Sequence, residues 1–149
     1  MKTSRLLGAL LIVIEVASVA LFLLCGQTIF TLLATMTPGG GEIPVVVDEE
    51  TGMATLTFTF TPRNGGYLAA TVDVGFGVTL TDGSYSVKNT TSVYLPPGVE
   101  KDVILTLRVP VEKLREYADA KGTLDIYTSI MTLNGLVRLD YNALAEGGG

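Results

Sequence analysis

The chain has no histidine, no tryptophan and one cysteine, Cys25, in 149 residues. Without histidine it lacks the commonest general base and metal ligand. A single cysteine excludes an internal disulfide and a cysteine zinc cluster. Basic residues are also scarce: ten Lys and Arg stand against fifteen Asp and Glu, a net charge of −5. Nucleic-acid recognition rests on basic patches, so nucleic acid is set aside as a partner. Gly39-Gly40-Gly41 runs into acidic sequence with no Gly-Lys-Ser/Thr after it, so no phosphate-cradling loop is present. No nucleophile–base pair or metal cluster stands out. The chain is therefore read as non-catalytic, with no cofactor and no catalytic or metal-ligating residue. Charged residues make up 17% and hydrophobic residues 48%, which excludes a disordered chain.

The apolar excess sits at the N-terminus. After Lys2 and Arg5, Leu6 to Leu24 is apolar except for Glu15 and Ser18. A bilayer-crossing helix needs about 20 predominantly apolar residues, and Leu6 to Cys25 supplies that length. A cleaved secretion signal is the alternative, with Ser18-Val19-Ala20 as a small-x-small site. Apolar sequence continues past that site, so an uncleaved signal anchor is preferred. Lys2 and Arg5 precede the span and Asp48-Glu49-Glu50 follow it. The positive-inside rule then puts the N-terminus in the cytoplasm and the remainder outside the cell membrane. The expected partners are the lipid bilayer, through residues 6–25, and other membrane or envelope proteins; the oligomeric state is left open. The chain divides into an anchor helix (1–36), a Gly-rich linker (37–42), a β-sandwich domain (43–142) and a flexible tail (143–149). On that division, removing Met1 to Met36 leaves a soluble, folded β domain.

Glu15 lies near the middle of the span, where an acidic residue costs roughly 2.5–3.5 kcal/mol on insertion scales. It is either a carboxylate that contacts a partner helix or a protonated side chain that bonds locally, with Ser18 one turn on. The second reading is preferred. Type IV pilin-like subunits also carry a Glu early in an apolar N-terminal helix, close behind a processing site. Here Gly8 is preceded by Leu6-Leu7, and Glu15 lies seven residues beyond it. A pilin-like or envelope filament subunit, assembling through this helix, is the alternative to a binding module. Cys25 follows Leu24 where a lipoprotein cleavage box needs a small residue, so it is read as a buried, inert membrane cysteine.

The rest reads as all-β. Twenty of the sixty residues from Thr51 to Pro110 are Val, Ile or Thr, types that suit a pleated, half-buried surface. Ala54 to Thr61 alternates apolar residues with threonines, as a strand with one face in a core does. Pro62 to Gly66 is a turn. Tyr67 to Leu80 is a second strand region, in which Gly75 and Gly77 suggest a bulge or bend. Thr81 to Ser84 turns again, with Asp82-Gly83 as a hairpin signal. Tyr85–Lys88 and Thr91–Leu95 are short strands, Pro96-Pro97-Gly98 breaks the chain, and Asp102 to Val109 alternates once more. Val111 to Lys121 is the one soluble helix candidate, closed by Gly122. Two last strands flank Asn134-Gly135. About seven strands at regular spacing predict an immunoglobulin-like two-sheet sandwich with one short helix, behind a single N-terminal transmembrane helix.

The order of these features carries a resemblance. An alternating strand ends at Phe60, a turn holds Asn64, and a strand leads to Asp82-Gly83. Tyr94-Leu95-Pro96-Pro97-Gly98, a strand to Val109-Pro110, a short helix with Leu114, Gly122 and a final hairpin follow. Over roughly residues 43–142 the chain resembles the WHy domain of late-embryogenesis-abundant proteins, in the small form found in archaea and bacteria. The family usually has Asn-Pro in the first turn; here Gly65-Gly66 follows Asn64. The resemblance implies an immunoglobulin-like sandwich linked to desiccation and stress response, and a family not known for catalysis; the cell-surface location rests on the anchor and its flanking charges. It makes the Asn64 turn and the Pro96 turn structural marks.

Four local features remain. Asn89-Thr90-Thr91 is an N-glycosylation sequon on a predicted surface loop, which leaves Asn89 a candidate for glycosylation. Asp48-Glu49-Glu50 is either a cation site or a solvated turn; without an Asp-x-Asp loop the turn is preferred. Asp73, Asp125 and Asp140 are either a carboxylate pair or exposed strand positions, and the latter is preferred. The six tyrosines, Tyr67, Tyr85, Tyr94, Tyr117, Tyr127 and Tyr141, make either a binding patch or sandwich core and rim; core and rim is preferred.

Overall fold

A computed structural model describes residues 2–36 and 43–146 of the chain. The predicted linker, 37–42, lies outside the described residues, as do the last three residues of the predicted tail. Helix α1 runs Lys2–Thr35, 34 residues, or about 51 Å at 1.5 Å per residue. No proline interrupts it before Pro38. From Leu7 to Leu23 its large apolar side chains stand exposed on every side. A helix apolar all round has to be covered by protein or lipid, and this one is long and apolar enough to cross a membrane.

Seven strands follow: β1 Val45–Asp48, β2 Met53–Phe60, β3 Ala70–Leu80, β4 Ser86–Leu95, β5 Val103–Pro110, β6 Gly122–Thr132 and β7 Val137–Glu146. Helix α2, Val111–Glu116, joins β5 to β6. All pairings are antiparallel, and they make a three-stranded sheet β1-β2-β5 and a four-stranded sheet β4-β3-β6-β7. This is the expected sandwich. Ala54, Leu56 and Phe60 of β2 turn inward, while β3 supplies Val72, Val74, Phe76 and Val78 from the facing sheet. Phe58 stacks on Phe76 at 5.5 Å between ring centroids, within the range that favours offset aromatic pairs.

Several local expectations change. Strand β1 has no counterpart in the sequence reading; it is four residues long and follows Gly-rich sequence. Tyr85–Lys88 and Thr91–Leu95 are parts of one strand, because Asn89 and Thr90 pair in register with Phe76 and Gly75. Gly75 and Gly77 make no bulge, since β3 keeps unbroken register with both neighbours. They clear space instead: a Cβ on Gly75 would lie 2.9 Å from Lys88 Cε. The 111–121 helix leaves α geometry after Glu116 and closes in a wider π-turn, Tyr117–Lys121. Strand β7 continues to Glu146, past the start of the predicted tail at 143.

The largest difference is at the helix. Cys25 is 1% exposed, and Thr28 and Leu32 are fully buried. Leu32 belongs to the sandwich core, and Ile29, Leu33 and Met36 pack against it. Three threonines at i, i+3 and i+7 bind one loop of the domain. Thr28 Oγ1 donates to the Leu24 carbonyl and accepts the Leu68 N–H at 3.3 Å. Thr35 Oγ1 accepts the Arg63 N–H at 3.1 Å. Thr31 lies over Gly65, and a Cβ on Gly66 would come within 2.5 Å of Thr28 Cα. The boundary drawn at Met36 is thereby corrected: α1 divides near Leu24, and its last turns are part of the sandwich.

A form lacking residues 1–23 is expected to fold, whereas one lacking 1–36 loses Leu32 and exposes the core. Thermal unfolding with near-ultraviolet circular dichroism separates the two. In the shorter deletion, Leu32→Ala is expected to cost about 2–5 kcal/mol, and Gly66→Ala about 1–3 kcal/mol through overpacking.

Candidate functional site

The two sheets do not cover each other along one edge. Strand β5 lies over β4, so β1 and β7 mark the opposite edge. There β1 pairs only with Met53 to Leu56 of β2. Beyond its reach, α1 brings Leu33 and Met36 toward Phe58 and Phe60. A cleft of about 180 Å³ remains between these four residues, with Ile126 of β6 and Tyr141 and Ala143 of β7 on its far side. An engineered apolar cavity of about 150 Å³ takes up benzene. The cleft therefore has room for one aromatic or branched aliphatic group.

Register extends the apolar surface beyond the cleft. Val45 and Val47 lie opposite the inward residues Leu56 and Ala54, yet both are exposed. Leu139 and Tyr141 lie opposite Ile130 and Thr128 and are exposed too. The edges of both sheets thus present apolar side chains on their inner faces beside the cleft. The outer edge of β7 has no strand paired to it among the described residues.

The outer face of the four-stranded sheet is polar. Arg138 Nε donates to Asp140 Oδ1 at 2.8 Å and its Nη2 to the Tyr127 hydroxyl at 2.7 Å; that hydroxyl donates to Asp140 at 3.1 Å. Lys88 Nζ lies 5.0 Å from the Tyr127 ring centroid, within cation–π range. The hydrogen bond from Arg138 holds the Asp140 carboxyl below its ordinary value, and the same bond raises Arg138.

The residues singled out in the sequence fall at separate places. Asp73, Asp125 and Asp140 share this outer face but form no pair: Asp73 and Asp140 flank Ser129 on neighbouring strands, about 10 Å apart at two strand spacings. No group of three or more potential metal-ligating residues occurs among the described residues. Asp48 Oδ1 accepts the Glu50 N–H at 3.1 Å, which makes that acidic run a turn. Asn89 is not on a loop; it stands within β4 and donates Nδ2 to the Thr106 carbonyl of β5 at 2.9 Å. A glycan on that nitrogen would replace a bond between the two sheets. Glu15 stands on the bare part of α1, and Ser18 donates to the Ile14 carbonyl at 2.8 Å rather than bonding Glu15. Tyr85 and Tyr117 pack against the core, where burial raises both phenols. Tyr67, Tyr94 and Tyr141 are exposed.

Asn64 is buried, and all its polar groups are bonded. Its Nδ2 donates to the Leu68 and Leu95 carbonyls at 2.8 and 2.9 Å, and its Oδ1 accepts the Gly66 N–H. Its backbone pairs with Val99 and Gly98 in the Pro96 turn. The two turns read as structural marks are thus one hydrogen-bonded unit. The sequence reading missed the cleft, although the alternation of Val137, Leu139 and Tyr141 showed the face that borders it. It also missed Thr28, Thr31 and Thr35, whose helical spacing was the available signal.

No family model matches the chain, and no curated protein matches it. Among solved structures it is similar to a beta-glucuronidase of Bacteroides uniformis, with 16% identity, 70% of this chain and 12% of that one covered, and a TM-score of 0.49. The chain thus spans 12% of that enzyme's length. It is also similar to a protein from Archaeoglobus fulgidus, with 13% identity, 72% and 93% of the two chains covered, and a TM-score of 0.45.

Two measurements check the site. In the form lacking residues 1–23, 1-anilinonaphthalene-8-sulfonate is expected to bind the cleft, and Ala143→Leu to weaken that binding about tenfold, the loss of about 1.4 kcal/mol. Carboxyl NMR titration is expected to place Asp140 below 3.8, with Arg138→Gln moving it up. The contribution of this pair to stability is present above the unfolded value and is lost as the pH falls through the folded one.

Proposed function

We propose that this chain is a membrane-anchored, extracytoplasmic and non-catalytic binding module. One observation carries the reading: the all-round apolar stretch Leu7–Leu23 passes without a break into turns that are part of the sandwich core. Such a stretch is at home in lipid, and the domain is then held against the membrane by a rigid helix. Lys2 and Arg5 before the span set the domain outside.

The surface offered for binding is the β1/β7 edge. An extended segment of another envelope protein adds to β7 by main-chain hydrogen bonds and seats one apolar side chain in the cleft beside Tyr141. Stress protection, the role that the resemblance to the WHy domain implies, is one form of such non-catalytic binding. A filament or envelope subunit is the second reading, and Glu15 favours it: the carboxylate stands on the bare helix with no side-chain partner among the described residues, as a helix-to-helix contact would require.

After expression in cells, the chain is expected to stay with the membrane through alkaline carbonate extraction. Protease added outside should digest the sandwich and spare the N-terminus. Release by carbonate, or protection of the sandwich, would overturn the proposal. Intact-mass measurement separates the two readings: retention of Met1 or Lys2 supports the anchor, and cleavage near Gly8 the filament subunit.

A further inference from the structure

Three loops converge at the end of the sandwich where α1 enters. Residues 61–69 join β2 to β3, residues 96–102 join β4 to β5, and residues 133–136 join β6 to β7. Asn64 ties the first two together through Leu95, Gly98 and Val99. The first loop also grips the helix, through Leu68 and Gly66 at Thr28. The crown of loops therefore sits at the level where the helix changes from bare to covered.

This crown carries exposed apolar side chains for which the sandwich has no use. Leu136 is 85% exposed and Tyr67 68% exposed, and Tyr94 stands exposed at the end of β4. Leu136 is held outward by three consecutive residues with positive φ: Leu133 at 52°, Asn134 at 54° and Gly135 at 87°. A leucine in that region is uncommon and strained. Glu100, Lys101 and Asp102 form a mixed-charge neighbour on the adjoining loop, with Lys101 Nζ on the Tyr94 carbonyl at 3.3 Å.

The length of bare helix says what covers these side chains. Between Arg5 and the first covered residues, Leu24 and Cys25, lie the residues Leu6 to Leu23. They measure about 27 Å of helix, against a hydrocarbon core of about 30 Å. No spare turn is left to lift the domain off the bilayer. Immersing the bare segment brings the crown into the headgroup layer, the depth at which tyrosine is enriched.

We infer that Tyr67, Tyr94 and Leu136 insert into the interfacial layer of the membrane and form a second contact beside the helix. The contact rests on the anchored reading above. It is non-covalent and takes a lipid surface as its partner.

The chain contains no tryptophan, so single reporters can be placed without background. The full-length protein, reconstituted in phosphatidylcholine–phosphatidylglycerol vesicles, would carry Tyr67→Trp, Leu136→Trp, Thr81→Trp or Phe22→Trp, each with unchanged far-ultraviolet circular dichroism. Thr81 is exposed at the far end of the sandwich. Lipids brominated near the headgroup are expected to quench the Tyr67→Trp and Leu136→Trp proteins several-fold more than the Thr81→Trp protein. Blue-shifted emission should accompany that quenching. If the first two are quenched no more than Thr81→Trp while Phe22→Trp is quenched by deeply brominated lipid, the anchor stands and the crown contact is overturned. If Phe22→Trp also escapes quenching, the anchored reading falls, and the crown contact with it.

Discussion

The fold depends on the contact between the last turns of α1 and the open end of the sandwich. Strand β1 is four residues long and stops at Leu56, so Phe58 and Phe60 have β5 on one side but no paired strand on the β1 side. Leu32, Leu33 and Met36 take the place that a longer β1 would have filled. Burial of these side chains supplies the driving force, at roughly 25 cal/mol per Å² of apolar surface. The threonine hydroxyls fix the geometry by satisfying the Leu68 and Arg63 amides, which would otherwise be left without partners as the helix covers them. Gly66 permits the approach because it has no side chain to hold the two backbones apart. The helix is thus both the element that leaves the domain and the one that closes it.

The same arrangement creates the cleft. A helix end does not match the profile of a pleated strand, so its side chains fill the gap between the sheets only in part. The unfilled space lies where α1, β2, β6 and β7 meet. On the opposite edge β4 and β5 approach closely, and Asn89 bonds across to β5. The closed edge holds the sheets in register, which leaves the other edge free to remain open without loss of the fold.

Much of this was legible in the residues. The Ala54–Thr61 alternation marks a strand with one wet face, and the structure places it so. The hairpin at Asn134-Gly135 and the strands around it were equally plain. What stayed hidden was tertiary in origin. Hydropathy leaves Thr28 to Met36 with the anchor helix, beyond the span, because it counts apolar residues and ignores which face they occupy. It cannot tell a lipid-facing leucine from Leu32, which faces a core made by residues far along the chain. Gly75 and Gly77 look like a break in β3 when read along one strand. Their purpose is visible only across strands, where Lys88 and Tyr127 occupy the space. The sequon at Asn89 looks like a loop for a similar reason: short polar residues on an edge strand carry no local mark of the neighbour they pair with. The cleft is the least legible feature, since it arises from the mismatch between the length of β1 and that of β2.

The bond between helix and sandwich also bears on how partners meet. A head on a slack tether tumbles freely, and each encounter with a partner must search all orientations. A head fused to its mast keeps one inclination and one height, and turns only about the mast. On the membrane-anchored reading, the β1/β7 edge then sweeps a fixed plane parallel to the bilayer, and a partner held in the same membrane approaches it by lateral diffusion alone. Much of the rotational freedom that association normally removes is already gone before the two chains meet, so a small contact surface suffices for a specific one.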